Sequence, residues 1–191
     1  MIQKFNFMQT NIPGLFLITP FCSWDKRGKF IKDYSGKIFD ANQAHHPLKE
    51  IFYTVSHKGV LRGMHFQGVM QQAKLVRCIH GHIWDVIVDL RKDSLSFGKW
   101  QAFDLTEENM CELLVPAGCA HGYLVLEEAI VSYKCAEDFY GEYDDGICWN
   151  DSDIGIKWPL DLIGGEKNLI LSEKDSNLQS FRDFVETYGG F

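Results

Sequence analysis

Short runs of β-branched and aromatic residues recur along this 191-residue chain, separated by Gly, Asn, Asp and Pro. Leu15–Phe21, Ile51–Ser56, Lys74–His80, His82–Leu90, Lys99–Leu105, Cys111–Val115, Gly122–Leu126 and Ile130–Ala136 each read as a strand. Many short strands with turn residues between them predict an all-β sandwich or barrel. Ile83-Trp-Asp-Val-Ile-Val-Asp-Leu90 is apolar almost throughout, as expected of a strand in the middle of such a core. Helical signal is confined to the C-terminal end, where Leu178, Phe181, Phe184 and Val185 recur at helical spacing within Asn177–Tyr188. Thr106-Glu-Glu-Asn109 reads as a short turn. No internal repeat, low-complexity tract or linker interrupts the chain, so residues 1–191 are expected to form a single domain.

Composition narrows the function classes. A hydrophobic content of 46% and an aromatic content of 14% fit a soluble globular protein. The net charge of -7 leaves no basic surplus to neutralise phosphates, which argues against a nucleic-acid partner. A small anionic ligand stays compatible, because a few cations can cluster locally in an acidic protein. The six cysteines contain no Cys-x-x-Cys pair and are expected to be free thiols. Lys4, Asn6, Asn11 and Pro13 break any signal-peptide core, and no apolar run approaches the roughly 20 residues a membrane span needs. A cytoplasmic protein without membrane association is expected.

Gly81 before a long strand, and Pro116-Ala-Gly118 leading into Ala120-His121-Gly122, resemble the two signatures of the cupin superfamily. That resemblance implies a double-stranded β-helix, or jelly roll, with a short C-terminal helical segment. Many cupins hold a divalent metal through His-x-His, a Glu and a later His. The matching positions here read His65-Phe66-Gln67 and Lys74. An ammonium repels a cation and cannot ligate it without losing its proton, so no metal is expected. His80-Gly81-His82 is a second His-x-His, at a strand junction; with no carboxylate seen near it, it is read as structural.

The larger set of motifs is more specific. It comprises Asp25-Lys-Arg-Gly28, Val60-Leu-Arg-Gly-Met-His-Phe-Gln67, Lys74-Leu-Val-Arg77, Pro116-x-Gly118-x-Ala-His-Gly122, Tyr133-Lys134, Trp149-Asn150-Asp151 and Leu171-Ser-Glu-Lys-Asp175. Over roughly residues 10–176 the chain resembles the dTDP-4-dehydrorhamnose 3,5-epimerase family. The resemblance implies a homodimeric jelly-roll enzyme, without metal or redox cofactor, acting on a nucleotide-diphosphate 4-keto-6-deoxy sugar.

Protons beside a ketone are acidic because the carbanion delocalises into an enolate. Inverting such a carbon requires a base, an acid on the other face and positive charge near the enolate oxygen. The resemblance assigns His65 as base, Asp175 as its orienting carboxylate and Tyr133 as acid; Lys74 then stands where it can stabilise the enolate. Arg62 and His121 resemble family pocket residues. Arg62 and His65 are three apart, an odd spacing that puts them on opposite faces of a regular strand, so the strand is expected to break at Gly63. Arg27 resembles an arginine that reaches the diphosphate across the dimer interface.

Three departures from the family pattern bear on specificity. A pocket amide is replaced by Phe52, and a Tyr-Tyr pair by Asp138 and Phe139. These changes tilt the expectation toward inversion at C3 alone. Phe30 and Lys32 stand where the family has an aromatic and a glutamate beside the base of the neighbouring subunit's substrate. Lys32 offers only donors, which suits cytosine better than the thymine N3–H and points to a CDP-linked sugar. The competing readings are a 3,5-epimerase proper, a 3,4-ketoisomerase and, from another class, a non-catalytic nucleotide-sugar-binding cupin.

Overall fold

The computed structural model describes residues 3–191. It is an antiparallel jelly roll with eleven strands: β1 Asn6–Gln9, β2 Phe16–Thr19, β3 Phe21–Asp25, β4 Gly28–Lys32, β5 Glu50–Ser56, β6 Leu61–Gln67, β7 Lys74–Asp89, β8 Trp100–Thr106, β9 Glu112–Val115, β10 Cys119–Cys135 and β11 Asp144–Gly146. Nine of them join in the order β1-β2-β9-β7-β10-β6-β11, with β5 added on β10 and β8 on β7. β3 and β4 form a separate hairpin. Among the described residues, helix is limited to α1 Gly36–Ala41, α2 Glu173–Ser176 and α3 Phe181–Tyr188, plus two short 3-10 turns. No helix among the described residues is long and apolar enough to cross a membrane.

Two long strands organise the barrel. The segments expected as Lys74–His80 and His82–Leu90 are one strand, β7, and those at Gly122–Leu126 and Ile130–Ala136 are one strand, β10. Gly81 bends β7 without ending it. Its φ is +78° and a Cβ there would meet Glu128 O at 2.0 Å, so only glycine fits. The β7–β10 register shifts at the same level, between Val125 and Val131. Each long strand thereby pairs with different neighbours on its two halves: β7 with β9 then β8, β10 with β6 then β5.

The apolar run of β7 is explained by burial on both faces. Ile83 and Ile87 join Val76, Leu113, Tyr123 and Val131 in one core. Val86 and Val88 face the other way, against Met64, Phe66 and Phe184. α3 closes that second core with Phe184 fully buried. The helix starts at Phe181, later than the sequence pattern suggested. Ser180 caps it in a reciprocal capping box with Asp183, which fixes the first turn there. All six cysteines are free.

The His-x-His at the β7 bend does find carboxylates, contrary to expectation. His80 Nδ1 lies 2.7 Å from Glu107 and His82 Nε2 2.6 Å from Asp104. The left-handed turn at Gly81 gives each histidine a separate surface partner.

Candidate active site

A cavity of about 180 Å³ opens into the barrel between β5, β6, β7 and β10. Arg62, His65 and Gln67 reach it from β6, Lys74 from the start of β7, and His121, Tyr123 and Tyr133 from β10. Phe52 and Thr54 come from β5, Phe139 from the connection that follows β10, and Asp144 from the start of β11. Six residues singled out from the sequence therefore meet in one place or adjoin it: Arg62, His65, Lys74, His121 and Tyr133 on the wall, and Asp175 behind His65.

Arg62 and His65 share the cavity because β6 is irregular between them. Gly63 has φ +117°, and a Cβ on it would sit 2.6 Å from Gly122 Cα and 2.7 Å from His121 O. The β6–β10 register shifts at this crossing, between His121 and Tyr123. Two glycines pressed together thus cancel the alternation that would have sent one side chain outward.

His65 is oriented by Asp175. Its Nε2 lies 2.5 Å from Asp175 Oδ1, and the carboxylate also accepts from Ser172 Oγ at 2.7 Å and from Gly63 N at 3.3 Å. Ser172 caps α2 and receives Asp175 N in return, so the short helix aims the acid at the ring. Burial alone would raise the Asp175 pKa, but the bonds from His65 and Ser172 outweigh it and hold the carboxyl below its usual range. A carboxylate on Nε2–H leaves the lone pair of the neutral ring on Nδ1.

A second histidine–aspartate pair stands beside the first. His121 Nε2 is 2.9 Å and 3.0 Å from the two Asp85 oxygens, with both residues buried. Burial raises the Asp85 pKa, and His121 and Lys74 counteract it in part. The sequence showed Asp85 only as part of a strand and gave it no role. Its signal was a carboxylate inside the apolar run Ile83–Leu90, which carries Asp85 and Asp89, where a buried carboxylate cannot remain without a partner.

Lys74 has no hydrogen-bond partner or ion pair among the described residues. Desolvation lowers its pKa, while Cys135 and Asp144 push weakly the other way. Tyr133 is buried and stacks on Phe52, with centroids 4.7 Å apart and planes at 12°. Burial first, and then the Tyr123 phenol, raise its pKa well above the usual phenol value. Tyr123, itself missed in the sequence, shares a hydrogen bond with Thr54 Oγ1 at 2.8 Å.

A carboxylate-backed imidazole, a neutral phenol and an unpaired lysine on one small cavity form a set suited to proton transfer at carbon beside a carbonyl. Comparison with known proteins agrees. A sequence profile described as dTDP-4-dehydrorhamnose 3,5-epimerase matches residues 9–183. The chain belongs to this family. It is 44% identical to the dTDP-4-dehydrorhamnose 3,5-epimerase of Methanothermobacter thermautotrophicus, over 95% of this chain and 97% of that one. Among solved structures it resembles a Legionella pneumophila dTDP-6-deoxy-D-glucose-3,5-epimerase in complex with dTDP-4-keto-L-rhamnose, with TM-score 0.88, 34% identity and 94% of each chain covered. It also resembles ChmJ, a 3'-monoepimerase from Streptomyces bikiniensis in complex with dTDP-quinovose, with TM-score 0.84, 30% identity, and 94% of this chain and 89% of that one covered.

In this dTDP-4-dehydrorhamnose 3,5-epimerase family member, Gln67 stands where a cupin metal ligand would be and does a different task. Its Nε2 donates to Met70 O at 2.7 Å and Asp138 O at 3.3 Å, and its Oε1 accepts from Tyr140 N at 2.7 Å. The amide pins the loop that brings Phe139 to the cavity. Asp138, expected at the substrate, is exposed and off the cavity wall; only its backbone carbonyl takes part, in the bond to Gln67. With an ammonium and a committed amide in the ligand positions, the donor set does not fit a divalent ion.

Arg27, Phe30 and Lys32 do not reach this cavity. They lie on the β3–β4 hairpin, where Arg27 pairs with Asp25 at 2.5 Å and Lys32 Nζ donates to Gln3 Oε1 at 2.6 Å. Phe30 and Trp24 on the same hairpin are 54% and 65% exposed. The hairpin is anchored at its base by Asp33, which accepts from Lys134 Nζ at 2.8 Å and Arg77 at 3.4 Å.

Proposed function

We propose that this protein inverts C3 of a dTDP-linked 4-keto-6-deoxyhexose through an enolate. His65 Nδ1 takes the C3 proton, and the C–H electron pair moves into the C3–C4–O system. Asp175 stabilises the imidazolium that forms, and the Lys74 ammonium offsets charge on the enolate oxygen. Tyr133 then gives its hydroxyl proton to C3 from the other face, the ketone re-forms, and the phenolate and imidazolium reset through solvent. The observation that carries this reading is the His65–Asp175 pair sharing a cavity with the neutral, buried Tyr133 and the unpartnered Lys74.

Inversion at both C3 and C5 is the second reading, supported by the 44% identity to a protein named as a 3,5-epimerase. The apolar Phe52 and Phe139 on the cavity wall favour the single inversion. For the nucleotide, the dTDP ligands of the related structures support dTDP. Lys32, the reason to expect CDP, donates one of its three N–H bonds to Gln3 and lies outside the cavity.

The active unit we propose is a homodimer. A cavity of about 180 Å³ accommodates a sugar ring, whereas pockets for larger ligands start at about 300 Å³. The nucleotide must therefore lie outside it. Arg27, Phe30 and Lys32 supply a cation, a stacking ring and a donor on an exposed hairpin away from their own cavity, which suits them to serve a second subunit's substrate. Among the described residues no strand pairs with the outer edge of β5, and its Ile51, Tyr53 and Val55 are 62%, 69% and 58% exposed, a ready surface for a second copy.

The test is incubation with dTDP-4-keto-6-deoxyglucose in D2O, followed by NMR, with the CDP-linked sugar in parallel. Deuterium at C3 with formation of the C3 epimer is expected. No exchange at either carbon with either nucleotide would refute the epimerase reading.

A further inference from the structure

We propose that Phe52 is a specificity-determining residue which, by stacking on Tyr133, confines proton delivery to C3 and denies it to C5. This rests on the epimerase reading and deepens it.

The C4 ketone acidifies the protons on C3 and C5 alike, so enolate chemistry does not choose between them. The choice lies in which carbon the acid and base can reach together. Protonation needs the acidic hydrogen aligned with the p orbital of one carbon, and a displacement of about 1 Å is enough to lose most of the rate. An enzyme that serves both carbons must let the acid or the sugar move between them.

Tyr133 has little freedom to move. Phe52 on β5 is its directly opposed partner across the β5–β10 ladder, so the strand register itself sets the two rings face to face. The centroids are 4.7 Å apart and the planes 12° from parallel. The ring of His121 closes the edge at 5.9 Å and 75°, and that imidazole is in turn fixed by the buried Asp85. Swinging the phenol toward a second carbon requires unstacking it from Phe52. Phe52 also offers no hydrogen bond, so it cannot hold a sugar hydroxyl in an alternative pose. Phe139, pinned through Gln67, adds a second apolar wall to the same cavity.

The experiment compares the full-length protein with Phe52→Asn, Phe52→Leu and Phe52→Tyr. Each is incubated with dTDP-4-keto-6-deoxyglucose in D2O, and NMR follows inversion at C3 and at C5, since inversion, unlike exchange on the base's own face, requires delivery by the acid. The ratio of the two rates is a property of the active molecules, so partial loss of folded protein does not alter it. The unaltered protein should invert C3 well before C5. Asn and Leu at position 52 should raise the C5-to-C3 ratio by about two- to tenfold, the factor an aromatic stack is worth. Phe52→Tyr keeps the ring and should keep the ratio. Equal rates of inversion at C3 and C5 by the unaltered protein would overturn the proposal, as would Asn and Leu variants with an unchanged ratio. Labelling at neither carbon would instead remove the epimerase reading, and this proposal with it.

Discussion

His65 and Asp175 are separated by 110 residues, yet the imidazole Nε2 sits 2.5 Å from the carboxylate. The pair joins the middle of the barrel to a one-turn helix near the C-terminus. The carboxylate selects the tautomer that leaves Nδ1 basic. His65→Asn should lower turnover by at least about a hundredfold, the usual scale of a general base, and abolish exchange of the substrate proton with solvent. Asp175→Asn should leave the fold intact but impair the same exchange step, because an amide can hold the wrong tautomer. Near-normal exchange in His65→Asn would end the assignment.

The part of the site that was legible in the sequence was the part carried by local motifs. His65, Lys74 and Tyr133 each sit in a short, recognisable string. Alternation alone would send Arg62 away from His65; the family resemblance placed both in the pocket with a break at Gly63, but the cause of the break, a contact with Gly122 on another strand, was not visible in the sequence. Asp85 and Tyr123 were overlooked because their partners, His121 and Thr54, are distant in sequence. The fold class followed from strand periodicity, but the two long strands were each divided in two. Glycine usually ends or weakens a strand; at Gly81 it bends one that stays paired on both sides of the turn. The β3–β4 hairpin was missed as a pair of strands because its residues face mostly solvent and show no apolar alternation.

Lys74 predicts the alkaline side of the pH profile. Burial lowers its pKa, so its ammonium is lost at lower pH than an ordinary lysine's. Activity that depends on that charge should fall as pH rises through the depressed value, below the ordinary lysine range of about 10.4. Tyr133 does not produce this limb, since its own pKa lies well above the phenol norm. In Lys74→Arg, which keeps its charge, the limb should vanish even if overall turnover drops. A limb that persists unchanged in Lys74→Arg would assign it to another group.

Asp89 predicts acid sensitivity of the fold. Burial pushes its pKa up, but bonds from Arg91, Ser94 and Ser96 prevail and hold it at about 2. The folded value lies below the unfolded one, so the stabilisation is complete above about pH 4 and is lost as pH falls toward 2. The shift corresponds to about 2 kcal/mol. Asp89→Asn should lower the melting temperature by about 4–8 °C at neutral pH for a chain of this size. The gap to the unaltered protein should narrow on acidification. A gap that stays constant down to pH 3 would show that packing, and not charge, sets the loss.

The arm residues predict a complementation result that neither activity nor oligomeric state alone can give. Arg27 lies on a hairpin outside its own cavity, and His65 lies inside. If the arm serves the partner's cavity, one site needs Arg27 from one subunit and His65 from the other. Arg27→Ala should raise KM more than it lowers kcat, because a cation on the diphosphate binds ground and transition states alike. Arg27→Ala and His65→Asn homodimers should each be impaired at low substrate. After mixing and subunit exchange, half of the molecules are heterodimers. In these, the intact His65 lies on the subunit that carries the Arg27→Ala arm, and the intact arm of the other subunit reaches it. One fully competent site per heterodimer then forms, so about a quarter of the unaltered activity should return at low substrate. Arms that fold back onto their own cavities would pair every intact His65 with a defective arm, and mixing would restore nothing. Recovery would locate the arm in trans, and its absence after verified subunit exchange would locate it in cis.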